Sequence, residues 1–167
     1  SIEHINKTRA RVKETLGAVT SEKALSLIAI RAHDIPDIFK DETILEAEKA
    51  REANFQNRED WRDLPFITID PPDAKDHDDA VYAIKDPDAN NDGGFIICVA
   101  IADVAYYVKP RSSLDRDALD RGNSVYFPDR VVPMLPERIS NDLCSLKAHQ
   151  DRPALAVKLR ITAQGKK

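Results

Sequence analysis

Two rhythms divide the chain. Over residues 1–60 apolar positions recur every three to four residues; from Pro65 they come in short runs separated by polar turns. The first rhythm predicts helices. Ile5, Thr8, Val12 and Leu16 form one stripe, with Gly17 placed as a stop. Thr20 or Ser21 caps a second helix through Leu25, Ile28 and Ala32, ending before Ile35-Pro36. Asp41 caps a third, with Ile44, Leu45, Ala47 and Ala50 inward and Glu46, Glu48, Lys49 and Glu52 outward. Residues 61–65 (Trp-Arg-Asp-Leu-Pro) read as a hinge. Beyond it, residues 66–69, 80–84, 95–102, 125–127 and 155–162 read as strands. The polar stretch 86–94 joins two of them as a hairpin. Ser112 or Ser113 caps a helix over 114–121 that Gly122 ends, and Gln164-Gly165-Lys166-Lys167 is a turn opening another hairpin. The pattern predicts an α+β fold: a helical segment over 1–60, then a mixed β-sheet with flanking helices over 61–167.

Composition narrows the class. With 42% hydrophobic and 32% charged residues the chain can bury a core, so wholesale disorder is excluded. No apolar run approaches the roughly 20 residues of a membrane span, and no secretory leader precedes the first helix, so no membrane partner is expected. Cys98 and Cys144 each lie in apolar surroundings without a CxxC pattern, which predicts buried, reduced thiols and a cytoplasmic protein. The absence of an initiating Met and the terminal strand-and-turn predict a piece of a longer protein, whose open strand edge could pair with a second copy. A net charge of −4 disfavours a nucleic-acid module that works by basic charge alone, but not a metal-dependent nuclease.

The candidate chemistry lies in residues 68–81, Thr-Ile-Asp-Pro-Pro-Asp-Ala-Lys-Asp-His-Asp-Asp-Ala-Val, with five aspartates in ten residues. Pro71-Pro72 stiffens the segment into a loop. Gathered carboxylates repel unless a cation compensates, and an all-oxygen set suits Mg²⁺, Mn²⁺ or Ca²⁺. Phosphodiester hydrolysis needs such a site to activate water and offset charge on phosphate. A solvated acidic turn is the plain alternative. The EF-hand spacing is absent, and a D-x-D phosphatase nucleophile is disfavoured because Pro72 stands where its second aspartate belongs. His77 reads either as a metal ligand or as a packed neighbour.

The same stretch resembles the opening signature of the ribonuclease II/ribonuclease R family, the RNB catalytic domain. The resemblance continues in order through Val99-Ala100-Ile101-Ala102-Asp103-Val104, Ser124-Val125-Tyr126-Phe127-Pro128, Val132-Pro133-Met134-Leu135-Pro136-Glu137 and Asn141-Asp142-Leu143-Cys144-Ser145-Leu146. It covers residues 61–167 and, more weakly, a lead-in with Arg31-Ala32-His33-Asp34-Ile35-Pro36; the variant resembled most is ribonuclease R. It implies the first part of an RNB domain, with residues 1–60 between a cold-shock-type module and that domain. It also implies processive 3′→5′ hydrolysis of single-stranded RNA to nucleoside 5′-monophosphates, with Mg²⁺ as cofactor and Mn²⁺ as the other candidate, by a monomeric parent. Asp70, Asp76, Asp78 and Asp79 match the family's catalytic aspartates. Asp70, Asp76 and Asp79 take the metal, and Asp78 holds a bound water or the terminal nucleotide. Asp73 falls outside the set, as a turn residue. Tyr126 matches the aromatic that packs on a base, and Arg121, Arg130 and Arg138 are candidates for RNA backbone contacts. His77 departs from the apolar or aromatic residue common there. The family's later half supplies further catalytic groups, so this piece alone is expected to be a poor nuclease. Two rivals remain: an RNA-binding or scaffold relative without activity, and a metal-dependent phosphatase acting on small molecules.

Overall fold

The computed structural model describes residues 2–6, 9–12, 14–18 and 21–167, with the backbone alone for 2–6, 9 and 10. The fold is α+β as expected, and its described strand pairings are antiparallel throughout rather than mixed.

The first departure comes at once. No helix carries Ile5, Val12 and Leu16; β1 (Ile2–Asn6) and β2 (Arg9–Val12) instead pair as a hairpin with a register shift between His4 and Asn6. Thr8 and Thr20 lie outside the described residues. Gly17, at φ 98°, turns the chain in a conformation glycine adopts without strain. The next two helices form as read. α1 (Glu22–Ala32) starts after Ser21 and buries Ala24, Ser26 and Ile30. α2 (Asp41–Lys49) starts after Lys40, so Asp41 is not its cap but sits with Glu42 in the first turn, where acidic charge meets the positive helix end. Its inward residues are Thr43 and Ala47. Leu45, expected inside, is exposed, and Glu46, expected outside, turns to accept the backbone N–H of Leu114 at 3.0 Å. That bond covers an orphan donor at the start of α4 (Ser113–Arg121), whose cap is Ser112 and whose end is Gly122 at φ 77°.

The second half is built on three strands in the order β3 (Asp79–Lys85), β4 (Phe95–Ala102) and β7 (Ala154–Ile161). Residues 66–69 do not form a strand; they join β3 through one bridge, Ile67 to Val81. Gly94 closes the 86–94 turn against Asn91, with no room for a Cβ. Between the long strands lie the short α3 (Val104–Tyr107), the ribbon of β5 (Val125–Tyr126) and β6 (Val131–Val132), and a π-helix, Arg138–Leu143. The main core gathers Ala47, Ala53, Ala102, Tyr107, Leu114, Ile139, Leu143 and Cys144 where helices meet the end of β4. Burying Leu114, Ile139 and Leu143 stabilises by about 1.5–3 kcal/mol each. Cys98 and Cys144 are buried free thiols; burial pushes the Cys144 thiol up to about 11.

Alternation splits the sheet. Ala80, Cys98, Ala100 and Ala102 point inward, while Val81, Val99, Ile101, Leu155 and Val157 share the opposite face, which stays largely open. Among the described residues no helix is long and apolar enough to cross a membrane.

Candidate active-site loop and its surroundings

The aspartate loop runs from the Ile67 bridge to the start of β3 and is stitched down from both sides. The Ser145 hydroxyl donates to the Lys75 carbonyl at 2.8 Å and accepts the His77 N–H at 3.2 Å. Leu146 N–H donates to the His77 carbonyl at 2.8 Å, and Ala102 N–H to the Asp78 carbonyl at 2.9 Å. Ser145 is buried, so its hydroxyl satisfies both backbone groups of this contact without water. The π-helix and the turn after it carry Ser145 to the loop, which is why a segment 70 residues away fixes it.

The aspartates are held in different ways. Asp70 faces His77, whose Nδ1 lies 2.8 Å from Oδ2; that hydrogen bond first, and the Thr68 hydroxyl second, hold the Asp70 carboxyl below the usual carboxylate range. Asp79 opens β3 opposite Ile101, on the open face of the sheet. Asp76 and Asp78 lie on the side of Tyr126. Desolvation first, then the Asp76 carboxylate and more weakly Asp78, push the Tyr126 phenol up, although the residue is 66% exposed. Asp73 is exposed in the turn that Ala74 N–H closes onto the Pro71 carbonyl. The donor chemistry fits a hard cation: carboxylate oxygens on a stiffened loop. The spacing gathers less than the chemistry asks, because among the described residues no three His, Cys, Asp or Glu groups come within reach of one ion.

The arginines separate. Arg121, expected at RNA, is buried with 2% of its side chain exposed. Its Nη1 donates to the Pro36 and Pro133 carbonyls at 2.7 and 3.1 Å, and its guanidinium stacks 3.6 Å from the Phe39 ring centroid. It packs the helices, with its guanidinium directed inward rather than to the surface. Arg130 is tied to Asp129 at 3.0 Å and to the Lys23 carbonyl; Asp129 in turn accepts the Ser26 hydroxyl of α1. Arg138 pairs with Asp142 on the π-helix and borders an open cleft of about 580 Å³. Ala74, Lys75 and His77 form one wall of that cleft, and none of the four aspartates lines it.

Ser145, Lys75, Lys147 and Asn141 were not legible as site residues. Their placement depends on contacts across the chain; Asn141 and Ser145 fall in the family-like run 141–146 and Lys75 in the aspartate loop, while Lys147 lies outside both.

Comparison with known proteins places this arrangement. The chain is 45% identical over 160 residues to ribonuclease R of Vibrio parahaemolyticus, covering 93% of this chain and 19% of that protein. It is 46% identical over 165 residues to ribonuclease R of Acidithiobacillus ferrooxidans, covering 96% and 36%. Among solved structures, Mycoplasma genitalium RNase R in complex with double-stranded RNA superposes with a TM-score of 0.84 at 34% identity, over 94% of this chain and 28% of that one. This chain therefore spans about a fifth to a third of the length of the relatives it matches. The RNB domain profile matches residues 58–167, and on that match the chain belongs to the RNB domain family.

Proposed function

We propose that this chain is part of a processive 3′→5′ exoribonuclease that hydrolyses single-stranded RNA to nucleoside 5′-monophosphates in the cytoplasm. The observation that carries the reading is the loop itself: four aspartates in the family's order, pinned by Ser145 and Ala102, with Tyr126 on the side of Asp76 and Asp78. Similarity to ribonuclease R over nearly the whole chain supports it. Two buried free thiols are in keeping with a reducing compartment.

Asp70, Asp76 and Asp79 are the residues that would hold Mg²⁺, or Mn²⁺ in its place, and Asp78 the terminal nucleotide or a bound water. A divalent cation there supplies an acidified water and offsets charge on the phosphate. The chain's own groups do the rest. His77 orients Asp70 and helps keep it ionised. Ser145 fixes the loop so that its carboxylates keep one arrangement. Tyr126 offers an exposed ring on which a base can stack, worth about 1–3 kcal/mol.

The test uses 5′-labelled single-stranded RNA and Mg²⁺ with a polypeptide of the relatives' length that contains this chain. Shortening from the 3′ end that Asp79→Asn abolishes is the expected result. RNA bound but never shortened would mean a non-catalytic relative, and release of inorganic phosphate from small esters would mean a phosphatase. A second readout is thermal: Mg²⁺ should raise the melting temperature of the wild type and not of Asp79→Asn, by linkage to the folded state.

A further inference from the structure

The cleft behind the aspartate loop has its own chemistry. One wall is the loop, through Lys75 and His77; the other is the π-helix and the chain just after it, through Arg138, Asn141, Asp142 and Lys147. π-Turns are rare and are often found at functional sites. Here the Cys144 N–H reaches back five residues to the Ile139 carbonyl, and Arg138, Asn141 and Asp142 face the cleft together.

The charge balance is unusual for this chain. Asp142 is approached by Arg138, by Lys147 at 3.7 Å and by Arg152 at 3.8 Å, so three cations surround one carboxylate. Lys75 adds a fourth with no carboxylate in contact among the described residues, and Glu137 is the second acid at the cleft. Of these, Lys75, Arg138 and Lys147 line the cleft against Glu137 and Asp142, a net positive lining in a protein of net charge −4. Such a hollow concentrates field and attracts anions. The loop's side chains sort accordingly: Asp76 and Asp78 turn toward Tyr126, and Lys75 and His77 toward the cleft.

We propose that this cleft binds backbone phosphates of single-stranded RNA, with Lys75, Arg138 and Lys147 as the cations and Asn141 as a neutral donor. The inference rests on the RNA reading of the aspartate loop and extends it to the loop's other side. Asp142 holds the cations in place and competes with the phosphate for them.

The experiment is fluorescence anisotropy of a labelled single-stranded oligonucleotide with the polypeptide of the relatives' length that contains this chain, without divalent cation and over a range of salt. Lys75→Ala with Lys147→Ala should weaken binding about equally for all base sequences. It should also flatten the dependence of log K on log salt by roughly 0.7 for each phosphate that the variant no longer neutralises. Asp142→Asn should tighten binding, which a merely structural Asp142 would not do. Tyr126→Ala should weaken binding while leaving the salt slope unchanged. An unaltered slope in the lysine variant, with binding still lowered by Tyr126→Ala, would overturn the cleft and spare the RNA reading. No binding by the wild-type polypeptide, or indifference to all three variants, would overturn both. Adenosine 5′-monophosphate presents a related oxyanion, a phosphomonoester. If the lysine variant loses that nucleotide but keeps RNA, the cleft belongs to a released mononucleotide and the backbone assignment fails.

Discussion

At Arg121 an ion pair lies inside the protein; along residues 70–79 five carboxylates stand at or near its surface. Arg121 commits its guanidinium to two proline carbonyls, the Phe39 ring and Asp117, itself 3% exposed and 3.7 Å from Nε. Asp117 also accepts the Lys40 N–H at 3.2 Å. Only Nη1 makes hydrogen bonds; the buried Nε and Nη2 find no hydrogen-bond partner among the described residues, and burial pushes the guanidinium below its usual value. The aspartate loop is the reverse. Its backbone is held by Ser145, Leu146 and Ala102, while among the described residues only Asp70 has a close partner of opposite potential charge, His77. A loop whose backbone is tied down while Asp78 and Asp79 stay exposed is what the proposed cation site would require. A fold that buries an ion pair among carbonyls has used it for packing.

That contrast makes separable predictions. The largest effect on stability falls at the buried pair. Arg121→Ala leaves Asp117 uncompensated inside and should cost about 3–5 kcal/mol in denaturant unfolding. Replacing both partners, as in Asp117→Leu with Arg121→Met, should cost much less than the two single changes summed. A strictly additive pair would mean that the 3.7 Å approach carries no coupling. Asp79→Asn should do the opposite: melting in the absence of divalent cation unchanged, and turnover of RNA by the longer polypeptide lowered by about 100-fold or more, beyond the cost typical of outer-sphere partners. An Asp79→Asn protein that melts early and turns over normally would erase the distinction.

The two sites also differ in how far the sequence revealed them. The strands β3, β4 and β7 and the helices α1, α2 and α4 follow from local pattern, caps and Gly122, because burial there obeys a short period. The first sixteen residues misled because Ile5, Val12 and Leu16 fit a helical stripe, while β1 and β2 are held by cross-strand backbone bonds that no stripe records. The aspartates were legible since five acids on a proline-stiffened loop are costly without a purpose. Arg121 was not, because its burial is decided by Pro36, Phe39 and Pro133, distant in sequence and brought together by tertiary packing. Ser145 is the same case on the functional side.

Ser145 therefore offers an intermediate test, since it is buried like Arg121 yet serves the loop. Ser145→Ala strands the Lys75 carbonyl and the His77 N–H, at a cost of about 1–3 kcal/mol. If the loop's geometry matters, turnover should fall by more than the small loss of folded population explains; a pure stability effect would restore full activity on cooling.

The smallest effect expected lies at Asp86, a carboxylate that shares features of both sites. Its side chain is fully covered, yet its partner Arg160 is 58% exposed at 3.0 Å. The Asn91 amide, the Asp88 N–H and Arg160 hold its carboxyl below the usual range, with the Asn91 bond the largest cause. A lowered folded-state value means that ionised Asp86 stabilises the native chain at every pH above the unfolded carboxyl value near 4. That contribution fades as the pH drops through the folded value, when the proton returns and the Asn91 and Arg160 contacts weaken. Thermal melts between pH 6 and pH 2 should therefore show an acid-side loss that is shallower in Asp86→Asn. Amide exchange at acid pH should rise first in residues 86–94 and at the end of β7, and last where α4, the helix of Arg121, packs through Leu114 with Ile139 and Leu143, which carry no titratable group. Equal early exchange around Arg121 would show that the turn and the helical core open as one unit.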